Sequence, residues 1–153
     1  QLLRNSLKES EKDFISLAKD IHLIERYLKL EQLRFGFHYQ INIDKKINKD
    51  TVEVPVLLLQ PAIENAIKHG ISGLHEKGIL KIDYTANEND ITITVTDNGA
   101  GYNNNTENGR GLKLTDERIA LINKLLKVQS VHWRISNTGK GTQVIYVFKN
   151  WLL

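Results

Sequence analysis

The sequence predicts an α+β fold, a two-layer α/β sandwich in which helices cover one face of a mixed, mostly antiparallel sheet. Three observations carry this reading. Two pairs of segments alternate apolar and polar residues and are joined by short polar turns, as β-hairpins are: Ile79–Thr85 with Ile91–Asp97, and Val131–Ser136 with Gln143–Phe148. Three longer stretches carry apolar residues at three- and four-residue steps, the mark of helices with one buried side. The regular strand–helix alternation of a doubly wound fold is missing, as are the glycine fingerprint after a first strand and the P-loop lysine pattern.

From about Ser10 to Phe35 the pattern is helical, with Phe14, Leu17, Ile21, Ile24 and Leu28 on one side and Leu23, Tyr27 and Leu30 as a second stripe. Such a helix either has a wide core face or packs on the domain and on a neighbour. His38–Asp44 reads as a strand with Tyr39, Ile41 and Ile43 on one face. Pro55 then introduces a second helix that runs through His69 and stops at Gly70, proline at the first turn and glycine past the end. The first hairpin turns through Ala86–Asp90. Tyr102–Asn108 is an asparagine-rich loop, and Leu112–Leu126 is a third helix with Leu114, Arg118, Leu121 and Leu125 spaced along it. The second hairpin turns through Asn137–Gly141, and there is no internal repeat.

The bulk properties narrow the function. A chain of 153 residues, 41% hydrophobic and 25% charged, makes one domain, or one domain with an appendage. Its net charge of +3 is interspersed, with no basic block and no aromatics interleaved with a basic stripe, so nucleic acid is not an expected partner. The absence of cysteine excludes disulfides, thiol catalysis and cysteine-ligated metals and fits a reducing compartment. No apolar run approaches membrane-spanning length and no signal peptide precedes the domain, so no membrane contact is expected of this segment. The chain starts at Gln1 and contains no methionine, so it is expected to be a fragment of a longer protein.

Four islands carry the chemistry. Asp97-Asn98-Gly99-Ala100-Gly101 follows a strictly alternating strand, and Asp97 shares the parity of Ile91, Ile93 and Val95. A carboxylate therefore ends the apolar face, beside backbone that lacks Cβ atoms at Gly99 and Gly101, an arrangement suited to a small polar ligand. Around Glu64–Gly70 the residues Ala62, Ile63, Ala66 and Ile67 make a buried stripe, and Asn65, Lys68 and His69 share the opposite face. An amide oxygen suits Mg²⁺, and a lysine one turn away can meet phosphate. Gly109-Arg110-Gly111 opens a helix, where free N–H groups cradle anions. Gly139-Lys140-Gly141-Thr142 is the fourth. Each alone is an ordinary turn or helix face; their order and spacing make the set specific.

With these islands the chain resembles the GHKL ATPase superfamily of gyrase, MutL, heat-shock chaperones and sensor histidine kinases. The N box falls at Asn65, the first glycine box at Asp97–Gly101, the second at Gly109–Gly111 and the last at Gly139–Thr142. Within the superfamily it looks like the LytS-type sensor histidine kinases, through Tyr27-Leu28-Lys29-Leu30-Glu31 with Arg34-Phe35, Pro55–Pro61 and Glu64–Gly70. The resemblance implies the Bergerat ATP-binding fold with ATP and Mg²⁺ as cofactors. Asp97 would accept a hydrogen bond from the adenine amino group. Asn65 would be the metal ligand, Lys68 would contact phosphate, and His69 would lie near the nucleotide. Gly99 and Gly101 would shape the adenine pocket, Gly109, Gly111 and Leu112 would belong to the lid, and Gly141 and Thr142 would support the adenine side. Residues 1–35 would be the tail of the dimerisation and linker region, and residues 36–153 the catalytic ATP-binding domain. The implied partners are a response regulator receiver domain and a second copy through the upstream helices. The implied location is the cytoplasmic domain of an inner-membrane sensor.

Two positions depart from the superfamily. Leu114 stands where the lid usually has asparagine. Pro61, as in LytS-type proteins, replaces the glutamate base of the hydrolytic members and of the anti-sigma serine kinases. Glu64 lies about 100° around the helix from Asn65 and does not inherit the base role. None of the five histidines matches the acceptor motif, which places the acceptor upstream. The rival readings are an anti-sigma-type serine kinase and a non-catalytic nucleotide-sensing or dimerisation module.

Overall fold

The computed structural model describes residues 13–101 and 108–153, with backbone alone at 108–112. Strand β1 (Phe14–Ser16) leads into helix α1 (Leu17–Phe35), followed by β2 (His38–Ile43) and β3 (Glu53–Pro55). Helix α2 (Gln60–Asn65) continues as a wide π turn over Ala66–Ile71, and a short 3₁₀ turn covers His75–Lys77. Then come β4 (Ile79–Asn87), β5 (Asp90–Asp97), helix α3 (Asn108–Leu125), β6 (Ser130–Asn137) and β7 (Thr142–Lys149). Five strands form one sheet in the order β2-β4-β5-β7-β6, with β2 and β4 parallel and every other pair antiparallel. A small antiparallel ladder joins β1 to β3.

Strand alternation builds one core. Leu80, Ile82 and Tyr84 of β4, Ile91, Ile93 and Val95 of β5, and Val144, Tyr146 and Phe148 of β7 are all buried. They form a single cluster with Leu17, Ile21, Ile24 and Leu28 of α1, Ala62 and Ile63 of α2, and Ile119 and Ile122 of α3. The helices cover one face of a mixed sheet, the expected two-layer sandwich. Because α1 shares this core, packing shows no break at the 35/36 boundary. The carboxy-terminal turn is tied in through Trp151, whose Nε1–H donates to the Glu53 carbonyl at 2.6 Å and whose ring meets the Phe148 edge at 4.9 Å.

Five local expectations are corrected. The first helix starts at Leu17, because Ser16 is extended (φ −60°, ψ 146°) and its side chain caps the Lys19 N–H at 3.2 Å. Phe14 belongs to β1 and stacks on Trp151, so its helical spacing from Leu17 is coincidental. Pro55 ends β3 opposite Phe14 instead of opening a helix; Pro61 takes the first-turn position of α2. Gly70 does not stop that helix but lies inside the π turn. The third helix begins at Asn108, and its buried side is Thr115, Ile119 and Ile122. The stripe of Leu114, Leu121 and Leu125 is exposed at 62%, 62% and 58%. The first hairpin is also tighter than expected: Asn87 pairs with Asp90, and Glu88 takes φ +56° in the turn.

The α3 assignment predicts a contrast between neighbours. Ile119→Ala should destabilise the fold by about 2–4 kcal/mol and Leu121→Ala by about 0.5 kcal/mol or less. Urea unfolding of the two variants measures this directly, and equal losses would contradict the buried face.

Candidate functional site

The site is built around the end of β5. That strand is paired on both sides, with Asp97 opposite Leu80 of β4 and Thr142 of β7. Its alternation delivers the Asp97 carboxylate to the buried face, where the residue is 6% exposed. Oδ1 accepts the Gly99 N–H at 2.8 Å. Burial pushes the Asp97 carboxyl above its ordinary range, while backbone N–H groups of Gly99 and Thr142 pull it back.

Glycines allow three stretches of backbone to converge here. A Cβ on Gly70, in the π turn, would sit 2.9 Å from Asp97 Oδ1. A Cβ on Gly99 would overlap the Gly70 backbone, and one on Gly141, at φ +140°, would overlap the Asp97 carbonyl. Asn98 locks the loop: its Oδ1 accepts the Ile79 N–H at 2.7 Å, and its Nδ2 donates to the Lys77 carbonyl at 2.8 Å.

These elements frame a cleft of about 410 Å³, counted out to its open mouth. Asp97, Thr142 and Gly101 line one side with Val95, Ile135 and Val144; Asn65, His69 and Gly70 line the other with Ala62 and Ala66. The walls combine apolar surface with a few polar groups, as small-molecule sites do. Asn65 Nδ2 is buried with no hydrogen-bond partner, a buried polar atom that a ligand can satisfy.

The structure separates some expected site residues. Asn65, His69, Asp97, Gly101 and Thr142 meet at the cleft. Lys68 is exposed on the π turn and does not line it. Gly99 and Gly141 act from behind, through the backbone approaches described above. Gly109 and Gly111 lie in the first turn of α3, and the side chain of Leu112 lies outside the described residues, as do residues 102–107, where the sequence predicts a loop. Glu64 accepts the Gln60 side-chain amide at 3.3 Å and is absent from the lining. Sequence reasoning missed Gly70, whose place directly after His69 looked like a helix stop. It also missed the apolar walls, which look like any other core residues.

Among the described residues no three His, Asp or Glu side chains cluster as a metal site. The cleft fits Mg²⁺ held mainly by phosphate oxygens and water with one protein ligand, for which the Asn65 side-chain oxygen is chemically suited; its unpartnered Nδ2 is a hydrogen-bond donor that would meet a ligand acceptor instead.

Residues 51–151 match the family of histidine kinase-, DNA gyrase B- and HSP90-like ATPases, and residues 1–39 match the histidine kinase family. The chain belongs to the histidine kinase-, DNA gyrase B- and HSP90-like ATPase family. Its similarity extends to the sensor protein LytS of Oceanobacillus iheyensis, at 31% identity over 96% of this chain and 27% of that protein. It is also 30% identical to the sensor histidine kinase YpdA of Escherichia coli, over 97% of this chain and 27% of that one. The fold is shared with the Acinetobacter baumannii histidine kinase AdeS, at TM-score 0.60 and 16% identity, covering 94% of this chain and 71% of that one. The chain thus spans about a quarter of the length of the curated relatives it matches.

Burial of Asp97 has a consequence for stability. Its ionised form is less favourable in the folded chain than in the unfolded one. The penalty is full above the folded pKa, shrinks as pH falls through that value and vanishes below the unfolded pKa. Asp97→Asn should therefore stabilise the nucleotide-free chain at neutral pH, with the gain fading on acidification. Urea titrations of both proteins at about pH 7 and about pH 4 test this; a gain that grows in acid would refute the sign.

Proposed function

We propose that this chain is the ATP-binding catalytic part of a two-component sensor histidine kinase. It binds Mg-ATP, and the γ-phosphoryl passes to a histidine outside this sequence and thence to a response regulator receiver domain. The observation that carries the reading is the pairing, across one cleft, of the buried Asp97 carboxylate with the unpartnered Asn65 amide. Family membership gives that pairing its nucleotide meaning.

In this mechanism Asp97 accepts from the adenine amino group while Val95, Ile135 and Val144 enclose the ring plane. Thr142 and the Gly141 backbone support the same end. At the phosphate end Asn65 would offer its amide oxygen to Mg²⁺ and His69 would lie beside the phosphates, while Lys68, exposed outside the cleft lining, would reach them from the rim. Mg²⁺, when bound, neutralises charge developing on the phosphate oxygens. Gly109, Gly111 and Leu112 contribute to the lid. No base is required of this chain: Pro61 cannot serve as one, Glu64 is held by Gln60, and an imidazole acceptor is nucleophilic at neutral pH. Catalysis then consists of positioning and charge stabilisation.

Residues 1–35 connect this domain to an upstream dimerising region, and α1 also completes the core of residues 36–153. The whole protein works as a homodimer, with this domain on the cytoplasmic side of an inner-membrane sensor. No helix among the described residues is long and apolar enough to cross a membrane.

Calorimetric titration with Mg-ATP tests the reading. The chain should bind, and Asp97→Asn should remove detectable binding. Asn65→Ala should abolish the difference between titrations with and without Mg²⁺. Gly70→Ala, which pushes a Cβ against the Asp97 carboxylate, should weaken affinity about ten-fold. Incubated alone with labelled ATP, the chain should take up no acid-labile phosphate; labelling would place the acceptor within it.

A further inference from the structure

Asp20 is a buried carboxylate that the proposed mechanism does not use. It lies in the first turn of α1 and is 2% exposed. Its Oδ1 accepts the backbone N–H of Leu57 at 2.8 Å, a bond between groups 37 residues apart. Leu57 has φ +53°, a left-handed conformation that a leucine adopts only under constraint. The turn at Leu57 is what launches α2. Leu58 and Leu59 insert into the core at 2% exposure each, the Leu57 carbonyl accepts the Gln60 N–H at 3.2 Å, and Asn65 follows within two turns.

Helix α2 has no side-chain cap of its own, since Leu59 occupies the cap position and makes no side-chain hydrogen bond. The start of the helix is fixed instead from α1. Asp13 contributes as well, its backbone carbonyl accepting the Val56 N–H at 2.7 Å. A buried carboxylate is costly to keep and is tolerated where hydrogen bonds and positive groups meet it. Here they are the Leu57 N–H, the amino-terminal end of α1 and the Arg118 guanidinium, which acts on Asp20 from α3.

We infer that Asp20 is a positioning residue for the cleft: from α1 its carboxylate holds the left-handed turn at Leu57, which sets where α2 begins and hence where Asn65 stands. This rests on the proposed nucleotide site for its functional consequence, though not for its structural one.

Two readouts test it, the Mg-ATP dissociation constant by calorimetry and the Asn65 side-chain amide peak in proton–nitrogen NMR spectra without nucleotide. Asp20→Ala should weaken ATP about ten-fold and move the Asn65 peak. Asp20→Asn keeps an oxygen that accepts from Leu57, so it should stay within about two-fold of the parent and leave the peak in place. Adding Leu57→Gly to Asp20→Ala should restore both readouts, because glycine takes the same φ without strain. If Asp20→Ala alone fails to fold, the double variant must recover a folded chain. Parent-like affinity and an unmoved peak in Asp20→Ala overturn the inference. So does an Asp20→Asn variant as damaged as the alanine, or a double variant that stays unfolded. A parent chain that binds no Mg-ATP removes the nucleotide reading alone, and the Asn65 peak still decides the role of Asp20.

Discussion

The burial of one carboxylate at the end of the central strand organises this domain. An ionised group taken out of water must find donors or neutralise. Asp97 finds its donors in backbone N–H groups, which requires main chain to come closer than side chains permit. Hence glycine stands at each approach: Gly70 from the helix layer, Gly99 from the loop after β5 and Gly141 from the β6–β7 turn. The wide π turn follows from the same demand, since the end of α2 must pass a glycine against the carboxylate while Ile67 and Ile71 stay fully buried. Such turns interrupt regular helices most often at functional sites.

The cleft is less well satisfied than the fold that carries it. Asn65 keeps a buried donor without a partner, and Asp97 keeps a charge in a desolvated position. Both penalties fall on the nucleotide-free state, and a ligand offering an acceptor to one and a donor to the other relieves them. The rigidity that allows this comes from β4, β5 and β7, whose inward residues include the fully buried Tyr84 and Tyr146, and from the Asn98 clamp to β4. Stability forgone at a site and supplied by its scaffold is a common pattern in functional proteins.

The residue pattern made legible what depends on long periodicity. Both hairpins and the parity of Asp97 followed from period-two alternation, which an eight-residue strand repeats often enough to be unambiguous. What failed depended on short or long-range information. Phe14 and Leu17 are spaced as on a helix, but three residues cannot separate a strand end from a helix start; pairing with β3 decides. Pro55 and Pro61 both suit a first helical turn, and only the pairing of Pro55 with Phe14 excludes it. On α3 the leucines outweighed Thr115, whose hydroxyl disguised a core position. The candidate site was legible at Asp97, a carboxylate on an apolar strand face, and at Asn65 only through the order and spacing of the four islands. It was illegible where the functional feature was an absent side chain, as at Gly70, or an ordinary apolar one, as at Val95 and Ile135.

Pro61 joins the architecture to the chemistry. At the first turn of α2 it supplies a preset φ and needs no N–H partner, which suits a helix that lacks a side-chain cap. The same position, one turn before Asn65, is where a helix of this superfamily that hydrolyses ATP carries its base. A residue chosen to start the helix therefore also withholds water activation from the cleft. Gln60, beside it, donates to Glu64 at 3.3 Å, and Glu64 does not line the cleft. A site that positions ATP and offers no base is poorly suited to hydrolysis and well suited to an acceptor that is already nucleophilic. On this view the wasteful reaction is suppressed by the way α2 is launched, and the order Gln-Pro before Glu-Asn is as much a part of the phosphotransfer reading as the residues that touch the nucleotide.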